Sequence, residues 1–282
     1  EISARESLQP NITAENRNYL QTKASRMGHM LDLTALPTLD TKSINGASKI
    51  PQRAQTHRAT TGKPFVTLAY AQSLDGCIAK SPGKPIRLSG PESESMTHAV
   101  RGVHDAILVG IGTVISDNPN LTLRLATGTQ PQPIILDSKL RFPLDANLLD
   151  NSTPSPWIAT TEQASDFRKT QLEQAGARVI QLQSNSKGWV DLPSLLSLLA
   201  DEHLNSIMVE GGARVITSFL SEQLVDNLVI TVSPVVLGGM RAVKRIETTK
   251  ATCPRLANTG YDRLGDDLII WGEPDWGDNV AG

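Results

Sequence analysis

Apolar residues follow two alternating patterns from Pro64 onward. Short, mostly apolar runs predict buried strands, and stretches with apolar residues every three or four positions predict helices. The strands are predicted at residues 65–70, 105–110, 133–137, 157–160, 178–182, 206–210, 228–237 and 268–271. The helices are predicted from Ser89 to Val103, after Gly112-Thr113, and at residues 163–175, 192–202 and 213–223.

The order of these elements predicts the fold class. Single helices between successive strands indicate right-handed crossovers and a mainly parallel sheet that is covered on both faces. The last two strands follow each other without a predicted helix, which favours an antiparallel pair at one edge. The pattern therefore predicts one α/β domain for residues 61–282, with helices flanking a mostly parallel sheet and an antiparallel C-terminal edge.

The start of the first of these helices has the spacing of a capping box. Ser89 is predicted as the N-cap, Pro91 falls in the first turn, and Glu92 stands three residues after the serine. In that motif the two side chains accept hydrogen bonds from N–H groups that the helix itself leaves unpaired. The sequence therefore predicts a sharp helix start at Ser89.

Residues 1–60 differ from the rest of the chain. They are rich in Asn, Gln, Thr, Ser and Ala, and no hydrophobic period persists among them. One helix is predicted from Asn11 to Met30, and the segment from Pro37 to Gly62 is predicted to be irregular. We interpret residues 1–60 as an N-terminal extension that packs on the core or serves a dimer. The plainer alternative is a surface tail without catalytic duty.

Composition excludes several classes of function. Lys and Arg (27) nearly balance Asp and Glu (29), which argues against a broad nucleic-acid-binding surface. The two cysteines and five histidines show no CxxC or HxE spacing, so neither a disulfide scaffold nor a metal site is predicted. No apolar run approaches the roughly 18 residues that a membrane span needs, and no signal-peptide core is present. We expect a cytoplasmic protein.

Candidate chemistry is concentrated where predicted strands end, because ligands of open α/β sheets bind beyond the carboxyl ends of the strands. Asp75 follows the first strand in the motif SLDG, and an ordinary turn is the alternative interpretation. Ser138 follows the strand PIIL and could contact the adenosine half of a dinucleotide or lie in a surface turn. His98 and His104 are interpreted as packing or helix-surface residues.

A second strand end carries Gly110-Ile111-Gly112-Thr113, followed by Asp117 and Arg124. Glycines at a strand-to-helix junction let backbone N–H groups approach a phosphate, and the helix dipole favours the anion. The motif is shorter than the full dinucleotide fingerprint. In the alternative interpretation Asp117 caps a turn and Arg124 is a solvated residue.

The strongest local signal is Val209-Glu210-Gly211-Gly212-Ala213-Arg214. A buried strand delivers a carboxylate at its end, and two glycines open the next helix. This arrangement suits a diphosphate at the helix N-terminus with Glu210 beside the reacting centre. A structural glutamate before a Gly-Gly turn is the alternative.

Taken in order, these pieces resemble the reductase domain of riboflavin biosynthesis, a family with a dihydrofolate-reductase-like fold. The matching stretches are SLDG (73–76), RxxHDAILVGxGTV (101–114), DNPxLTxR (117–124), PIILDS (133–138), MVEGGA (208–213) and LVDNLVITVSPVVLG (224–238). The resemblance covers residues 64–240 and implies NADPH as the hydride donor and a homodimer.

The resemblance also implies roles for individual residues. Those implied to bind the cofactor are Ala71, Thr113, Asp117, Ser138, Gly212, Ala213, Arg214 and Val215. Those implied to bind the substrate are Arg101, Leu121, Arg124 and Glu210. The two arginines suit a sugar 5′-phosphate, because a guanidinium forms bidentate, charge-assisted bonds to phosphate oxygens.

The sequence departs from the bacterial pattern of this family. Bacterial members have Ser-x-Trp before the first helix, where this chain has Pro85-Ile86-Arg87, and the stretches LSGPES (88–93) and MTH (96–98) resemble the fungal type. The HxE and PCxxC motifs of the bacterial zinc deaminase do not occur. The resemblance therefore implies a reductase that acts on 2,5-diamino-6-ribosylamino-4(3H)-pyrimidinone 5′-phosphate before deamination.

The expected reaction is hydride transfer to C1′ of the ring-opened ribosylamine, which gives the ribitylamino product. Glu210, and less favourably Asp75, could assist ring opening or deliver a proton. Two other functions stay open: a reductase of the deaminated uracil analogue or another heterocycle, and a non-catalytic nucleotide-binding module. The choice between NADPH and NADH also stays open, since the sequence shows no unambiguous clamp for a 2′-phosphate.

Overall fold

Nine strands form the main sheet of the computed structural model, which describes residues 47–84, 86–150, 154–246 and 254–277. Two short strands, β2 and β9, pair beside it. In chain order the strands are β1 (Phe65–Ser73), β2 (Cys77–Ala79), β3 (Ala106–Gly110), β4 (Gln132–Leu136), β5 (Trp157–Thr161), β6 (Arg178–Leu182), β7 (Ser206–Glu210), β8 (Asn227–Ser233), β9 (Met240–Arg241), β10 (Arg255–Leu264) and β11 (Asp267–Asp275). The order across the main sheet is β10-β11-β8-β1-β7-β3-β4-β5-β6.

Strands β8, β1, β7, β3, β4, β5 and β6 run parallel, whereas β11 is antiparallel to β8 and β10 is antiparallel to β11. The predicted α/β class, the mostly parallel sheet and the antiparallel C-terminal edge are thus confirmed. The described residues form six α-helices, of which the first precedes β1 and the other five lie between strands: α1 (Ile50–Thr61), α2 (Pro91–Arg101), α3 (Ile111–Asp117), α4 (Asp166–Gln174), α5 (Leu192–Asp201) and α6 (Ala213–Ser221).

Both faces of the central strands are buried, as a parallel sheet requires. Alternate residues of β1, β3 and β7 pack against α5 and α6 on one face, where Leu195, Leu199, Ile216 and Phe219 are almost fully buried. On the other face, α1 and α2 cover β1 and β7, and α3 and α4 cover β3 and its neighbours. Because side chains alternate across a strand, near-continuous apolar runs such as AILVG supply both layers at once.

Helix α1 corrects the prediction that the segment from Pro37 to Gly62 is irregular. Its sequence has almost no apolar periodicity, yet Ile50 and Ala54 are buried in the core. Arg58 also holds this helix in place, because its guanidinium donates hydrogen bonds to Asn205 Oδ1 at 3.0 Å and to the Ala200 carbonyl at 2.9 Å. Residues 50–60, which the sequence assigned to an extension, therefore pack on the sheet. The helix predicted from Asn11 to Met30 lies outside the described residues.

Two element boundaries and one missed strand also show where the structure differs from prediction. Helix α2 has Gly90 rather than Ser89 as its N-cap, and its N–H group donates to the buried Asp267 carboxylate at 2.8 Å. The predicted capping box was therefore wrong: the N-cap has no side chain to accept from the first turn, and the acceptor of its own N–H group is Asp267 rather than Glu92. Strand β8 ends at Ser233 rather than at Leu237, because Pro234 has no N–H group to continue a ladder. Strand β10 was missed because most of its side chains are exposed at the sheet edge.

Truncation of Ile50 tests the docking of α1. Ile50→Ala should lower the free energy of unfolding by about 2–4 kcal/mol, because it leaves a cavity at a fully buried position. Gln52→Ala, on the exposed side of the same helix, should change it by less than about 0.5 kcal/mol. Urea denaturation of both variants measures the difference. Equal values for the two variants would mean that α1 does not contribute to the core.

Candidate active site

The parallel strands bring the candidate residues to one edge of the sheet. Strands β1, β7, β3 and β4 are neighbours in this order, and the register places Ala69 beside Glu210 and Gly110 beside Leu136. Their carboxyl ends, with that of β8, therefore form one continuous edge, which we call the rim. The two glycine-containing strand ends predicted to bind anions open on this same edge.

Val215 in the first turn of α6 holds those two strand ends close together. A Cβ atom added to Gly110 would lie 2.7 Å from Val215 Cγ2, and one added to Gly211 would lie 2.9 Å from Val215 Cβ. Any larger residue would push the valine away. Glycine at these two positions therefore lets the end of β3, the end of β7 and the start of α6 pack directly on each other.

Arg101, the last residue of α2, and Glu210, the last residue of β7, form a bidentate ion pair at the rim. Arg101 Nε donates to Glu210 Oε1 at 2.6 Å and Nη2 donates to Oε2 at 2.7 Å. The side chains are only 14% and 19% exposed. Burial alone would lower the pKa of Arg101, but the charge and hydrogen bonds of Glu210 outweigh it and the pKa is raised. Both Glu210 carboxyl oxygens therefore accept hydrogen bonds from the same guanidinium.

Two buried histidines lie beside this pair. His98 Nδ1 accepts the backbone N–H of Arg124 at 3.2 Å, and burial together with the charges of Arg101 and Arg124 lowers the pKa of His98 to about 3. The imidazole is therefore neutral at physiological pH. Its contact joins the loop that carries Arg124 to the end of α2, so both arginines that were predicted to bind a phosphate are tied to the same helix.

His104 has a packing and hydrogen-bonding role. Its Nδ1 lies 2.7 Å from the Val100 carbonyl, which can only accept, so Nδ1 carries the proton and Nε2 accepts from the Thr67 hydroxyl at 2.9 Å. Burial lowers the pKa of His104 to about 4. The side chain thereby links α2 to the middle of β1.

The start of α6 lies near a hairpin formed by residues 184–190. This hairpin follows β6, the outermost strand on the side of the sheet opposite β10. Gly212 is the N-cap and provides no side-chain acceptor for the first-turn N–H groups of Ala213, Arg214 and Val215. The Arg214 guanidinium lies 5.3 Å from the centre of the Trp189 ring. The residue after this tryptophan, Val190, donates its N–H to Ser138 Oγ at 3.3 Å.

Asp75 is bound to a different part of the chain from Glu210. Its carboxylate accepts hydrogen bonds from Leu237 N at 2.9 Å, Gly238 N at 2.7 Å and Ser73 Oγ at 2.5 Å. These bonds, led by that of Leu237, hold the pKa of Asp75 well below its usual range. The arrangement favours a structural role over proton donation.

The remaining sequence candidates lie along the same edge at varying distances from these contacts. Ala71 is beside Thr231 of β8, and Thr113 lies in the first turn of α3. Asp117 ends α3, is exposed, and accepts a hydrogen bond from Ser116 Oγ at 2.6 Å. Leu121 is buried with a positive φ of 52°, which marks a tight turn between α3 and Arg124.

Sequence reasoning missed the contacts that come from distant loops. Trp189 was not considered, although Lys187 and Trp189 flank a glycine, and the Lys187 ammonium lies 5.6 Å from the same ring. The backbone donors of residues 237 and 238 could not be found from sequence, because a backbone N–H carries no residue signature. His98 was assigned to packing, and its bond to the Arg124 backbone had no sequence signal.

Within the described ranges, no group of three or more His, Cys, Asp or Glu side chains is arranged to hold a metal ion. None of the helices in the same ranges combines the length and the apolar composition that crossing a membrane demands.

Comparison with known sequences gives consistent matches to one family. The family model described as the RibD C-terminal domain matches residues 64–270. The riboflavin biosynthesis protein RibD of Aquifex aeolicus is 35% identical over 221 residues, which cover 75% of this chain and 58% of that protein. The 2,5-diamino-6-ribosylamino-4(3H)-pyrimidinone 5′-phosphate reductase of Debaryomyces hansenii is 38% identical over 200 residues, covering 64% of this chain and 79% of the relative. This chain thus spans less than two thirds of the RibD relative.

Solved structures share the fold. The riboflavin biosynthesis reductase Rib7 of Saccharomyces cerevisiae has a TM-score of 0.59 and 28% identity, covering 80% of this chain and all of that chain (100%). RibD of Acinetobacter baumannii has a TM-score of 0.69 and 24% identity, covering 79% of this chain and 62% of that one. The latter likeness concerns the fold alone.

The buried His104 predicts a pH dependence of stability. His104 is neutral in the folded protein down to a pKa of about 4, whereas the unfolded chain binds a proton near its ordinary pKa of about 6.5. The unfolded state therefore binds more protons between these values, and stability falls as the pH drops from about 6.5 to 4, by ~3 kcal/mol. Above pH 7 this residue contributes no pH dependence.

Urea denaturation from pH 4 to pH 7 of the wild type and of His104→Gln measures this contribution, because the carboxylates affect both proteins alike. We expect a shallower loss of stability in the variant. Parallel curves would show that His104 titrates normally in the folded protein.

Proposed function

The chain belongs to the RibD C-terminal domain family, and from this premise we propose that it reduces 2,5-diamino-6-ribosylamino-4(3H)-pyrimidinone 5′-phosphate to the ribitylamino compound with NADPH. The observation that carries the proposal is the meeting of two features at one rim. The uncapped start of α6 can receive a diphosphate, and Glu210, which is paired with Arg101, ends the strand that leads through Gly211-Gly212 into this helix.

The identity of the substrate is supported by the named relatives. Reductases whose name specifies the diamino-pyrimidinone are 38% identical in Debaryomyces hansenii and 35% identical in Saccharomyces cerevisiae, and the aligned region covers 79% of each. The deaminated uracil analogue differs by one exocyclic group. It is therefore the alternative substrate on the same site.

The residues at the start of α6 fit a dinucleotide cofactor. A Cβ atom added to Gly212 would meet nothing within 4 Å, so the backbone there is open to a bound group. The N–H groups of Ala213, Arg214 and Val215 point out of the first helical turn, where the helix dipole favours a diphosphate. When bound, the reduced nicotinamide supplies a hydride.

The protein's own groups bind and orient the sugar phosphate. The Glu210 carboxylate can accept hydrogen bonds from the sugar hydroxyls or from the ribosylamine N–H, while its two hydrogen bonds from Arg101 fix its orientation. Because the Nε and Nη2 groups of Arg101 already donate to Glu210, we assign the main phosphate contact to Arg124. Alignment of two bound reactants can supply on the order of 7–11 kcal/mol of the barrier, so orientation is the principal contribution of these residues.

The preference for NADPH over NADH is supported by the charge beside Ser138. Arg214 and Lys187 both lie within 6 Å of the Trp189 ring centre, and this hairpin is bonded to Ser138 at the end of β4. A cofactor whose diphosphate lies at α6 can extend its adenosine half across the ends of β3 and β4 toward this cluster. A phosphomonoester on that half would gain charge-assisted hydrogen bonds.

A homodimer in the cytoplasm belongs to the same proposal. Strand β10 supports the dimer, because it is the outermost strand of the sheet and Tyr261 on it is 65% exposed. An exposed strand edge is a template for pairing with another chain.

The decisive experiment is a product assay with purified protein, NADPH and each of the two pyrimidines. We expect ribitylamino product from the diamino compound at a higher kcat/KM than from the deaminated one. Glu210→Gln should lower kcat/KM by about 10²–10³-fold, because it removes the charged acceptor and leaves Arg101 without its partner.

Glu202→Gln is the matched control, because Glu202 forms a bidentate pair with Arg178 at the opposite edge of the sheet. It should leave turnover unchanged. Full turnover of Glu210→Gln at saturating substrate would remove Glu210 from the reaction. Absence of product from either pyrimidine would favour a non-catalytic nucleotide-binding module.

Substitution of Arg214 tests the choice of cofactor. Arg214→Ala should raise the Kd of NADPH by about tenfold or more, the value of one charge-assisted hydrogen bond, and should change the Kd of NADH much less. Arg263→Ala removes an exposed cation from β10 and should change neither. Fluorescence titration of the reduced cofactors measures both constants. Equal loss of affinity for the two cofactors would assign Arg214 to the diphosphate instead.

A further inference from the structure

Two loops at the rim are joined by a network centred on one carboxylate. The loop after β1 and the loop after β8 leave neighbouring parallel strands, and Leu74 N donates to the Val235 carbonyl at 2.8 Å. Farther along, Ala242 N donates to the Gly76 carbonyl at 2.9 Å, and β2 pairs with β9. The loops therefore form one unit beside the predicted reaction centre.

Asp75 holds a central position among the described residues of this unit. Each of its two carboxylate oxygens accepts a hydrogen bond from a backbone N–H group of the opposite loop. Oδ1 accepts from Leu237 N and Oδ2 accepts from Gly238 N, at 2.9 and 2.7 Å. Ser73 Oγ donates to Oδ1 and at the same time accepts from Cys77 N at 3.0 Å. We call Ser73, Asp75, Leu237 and Gly238 the rim clasp.

The clasp lies on the side of the rim where the sheet register places Glu210. Ala69 is beside Glu210, and β1 continues past it through Ala71 to Ser73, the first member of the clasp. The joined loops thus extend the sheet beyond Glu210 toward the β8 side. Any reactant held against Glu210 has these loops as a neighbouring wall.

Close packing makes the position of the second loop depend on the clasp. A Cβ atom at Gly239 would lie 2.2 Å from the Ala79 carbonyl, so the backbones of the two loops are already in contact. Gly239 N also lies 3.2 Å from Cys77 Sγ. With so little space between the two backbones, we expect loss of the Asp75 bonds to let the loop of residues 234–241 move outward.

We propose that Asp75 is a positioning residue of the proposed reductase reaction: it fixes the loop of residues 234–241 as a wall beside Glu210 and does not donate a proton. This inference rests on the proposed function, because the effect on turnover presupposes reduction at Glu210. A carboxylate that accepts hydrogen bonds from Leu237 N, Gly238 N and Ser73 Oγ, and a weaker one from Cys77 Sγ at 3.4 Å, is held in its ionised form. Proton donation would require the loss of bonds that hold both loops.

The test compares Asp75→Asn, Ser73→Ala and the control Asp201→Asn, an exposed residue at the end of α5. Asp75→Asn should lower kcat at least tenfold with KM values within about threefold of wild type, and should leave the shape of the pH–rate profile unchanged. Amide hydrogen exchange in peptides covering residues 234–241 should become faster. Ser73→Ala, which keeps the charge, should show the same two effects to a smaller extent.

Each other outcome has a defined meaning. A lost limb of the pH–rate profile with unchanged exchange would identify Asp75 as an acid or base and overturn the proposal, as would wild-type kcat despite faster exchange. If Asp75→Asn does not fold, Ser73→Ala alone decides between these results. If the wild type reduces neither pyrimidine, the proposed function fails, whereas the exchange measurement still determines whether the clasp holds the two loops together.

Discussion

The ion pair between Arg101 and Glu210 is the interaction on which the candidate site depends. Both groups are more than four-fifths buried, so each has lost most of its hydration and neither is tolerable there without the other. The pair consequently couples the last turn of α2 to the last residue of β7. A residue at the end of a helix and a residue at the end of a strand, 109 positions apart in sequence, are thereby fixed as one polar unit.

The placement of that unit could be predicted from sequence because it follows from strand order. Parallel strands with buried faces read as apolar runs such as AILVG and SIMVE, and each run is followed by the polar or small residues that end it. Once the strands are parallel, those endings share an edge, and glycines at positions 110 and 211 mark where Val215 must fit. The direct pairing of Arg101 with Glu210 was not predictable, since both were assigned to substrate without reference to each other.

Elements whose stability comes from distant partners were predicted poorly. Helix α1 has almost no apolar periodicity, and its position depends on Ile50, Ala54 and the bonds from Arg58 to the end of α5. The N-cap of helix α2, Gly90, donates its N–H to Asp267, which is 177 residues away. Strand β10 is a polar edge strand that pairs with β11 through its backbone. In all three cases the local sequence carries little of the information, because tertiary contacts override propensity.

The charges around the rim explain why one histidine there must be neutral. Burial lowers the pKa of His98, and the charges of Arg101 and Arg124 lower it further, because a proton on the buried imidazole would add a positive charge beside two guanidinium groups. With the imidazole neutral, no further positive charge is added beside the Arg101–Glu210 pair. The lone pair of His98 is used structurally, since it accepts the Arg124 N–H and so fixes the backbone that carries the guanidinium. The same neutral ring therefore joins the Arg124 loop to α2 without adding a charge to the candidate site.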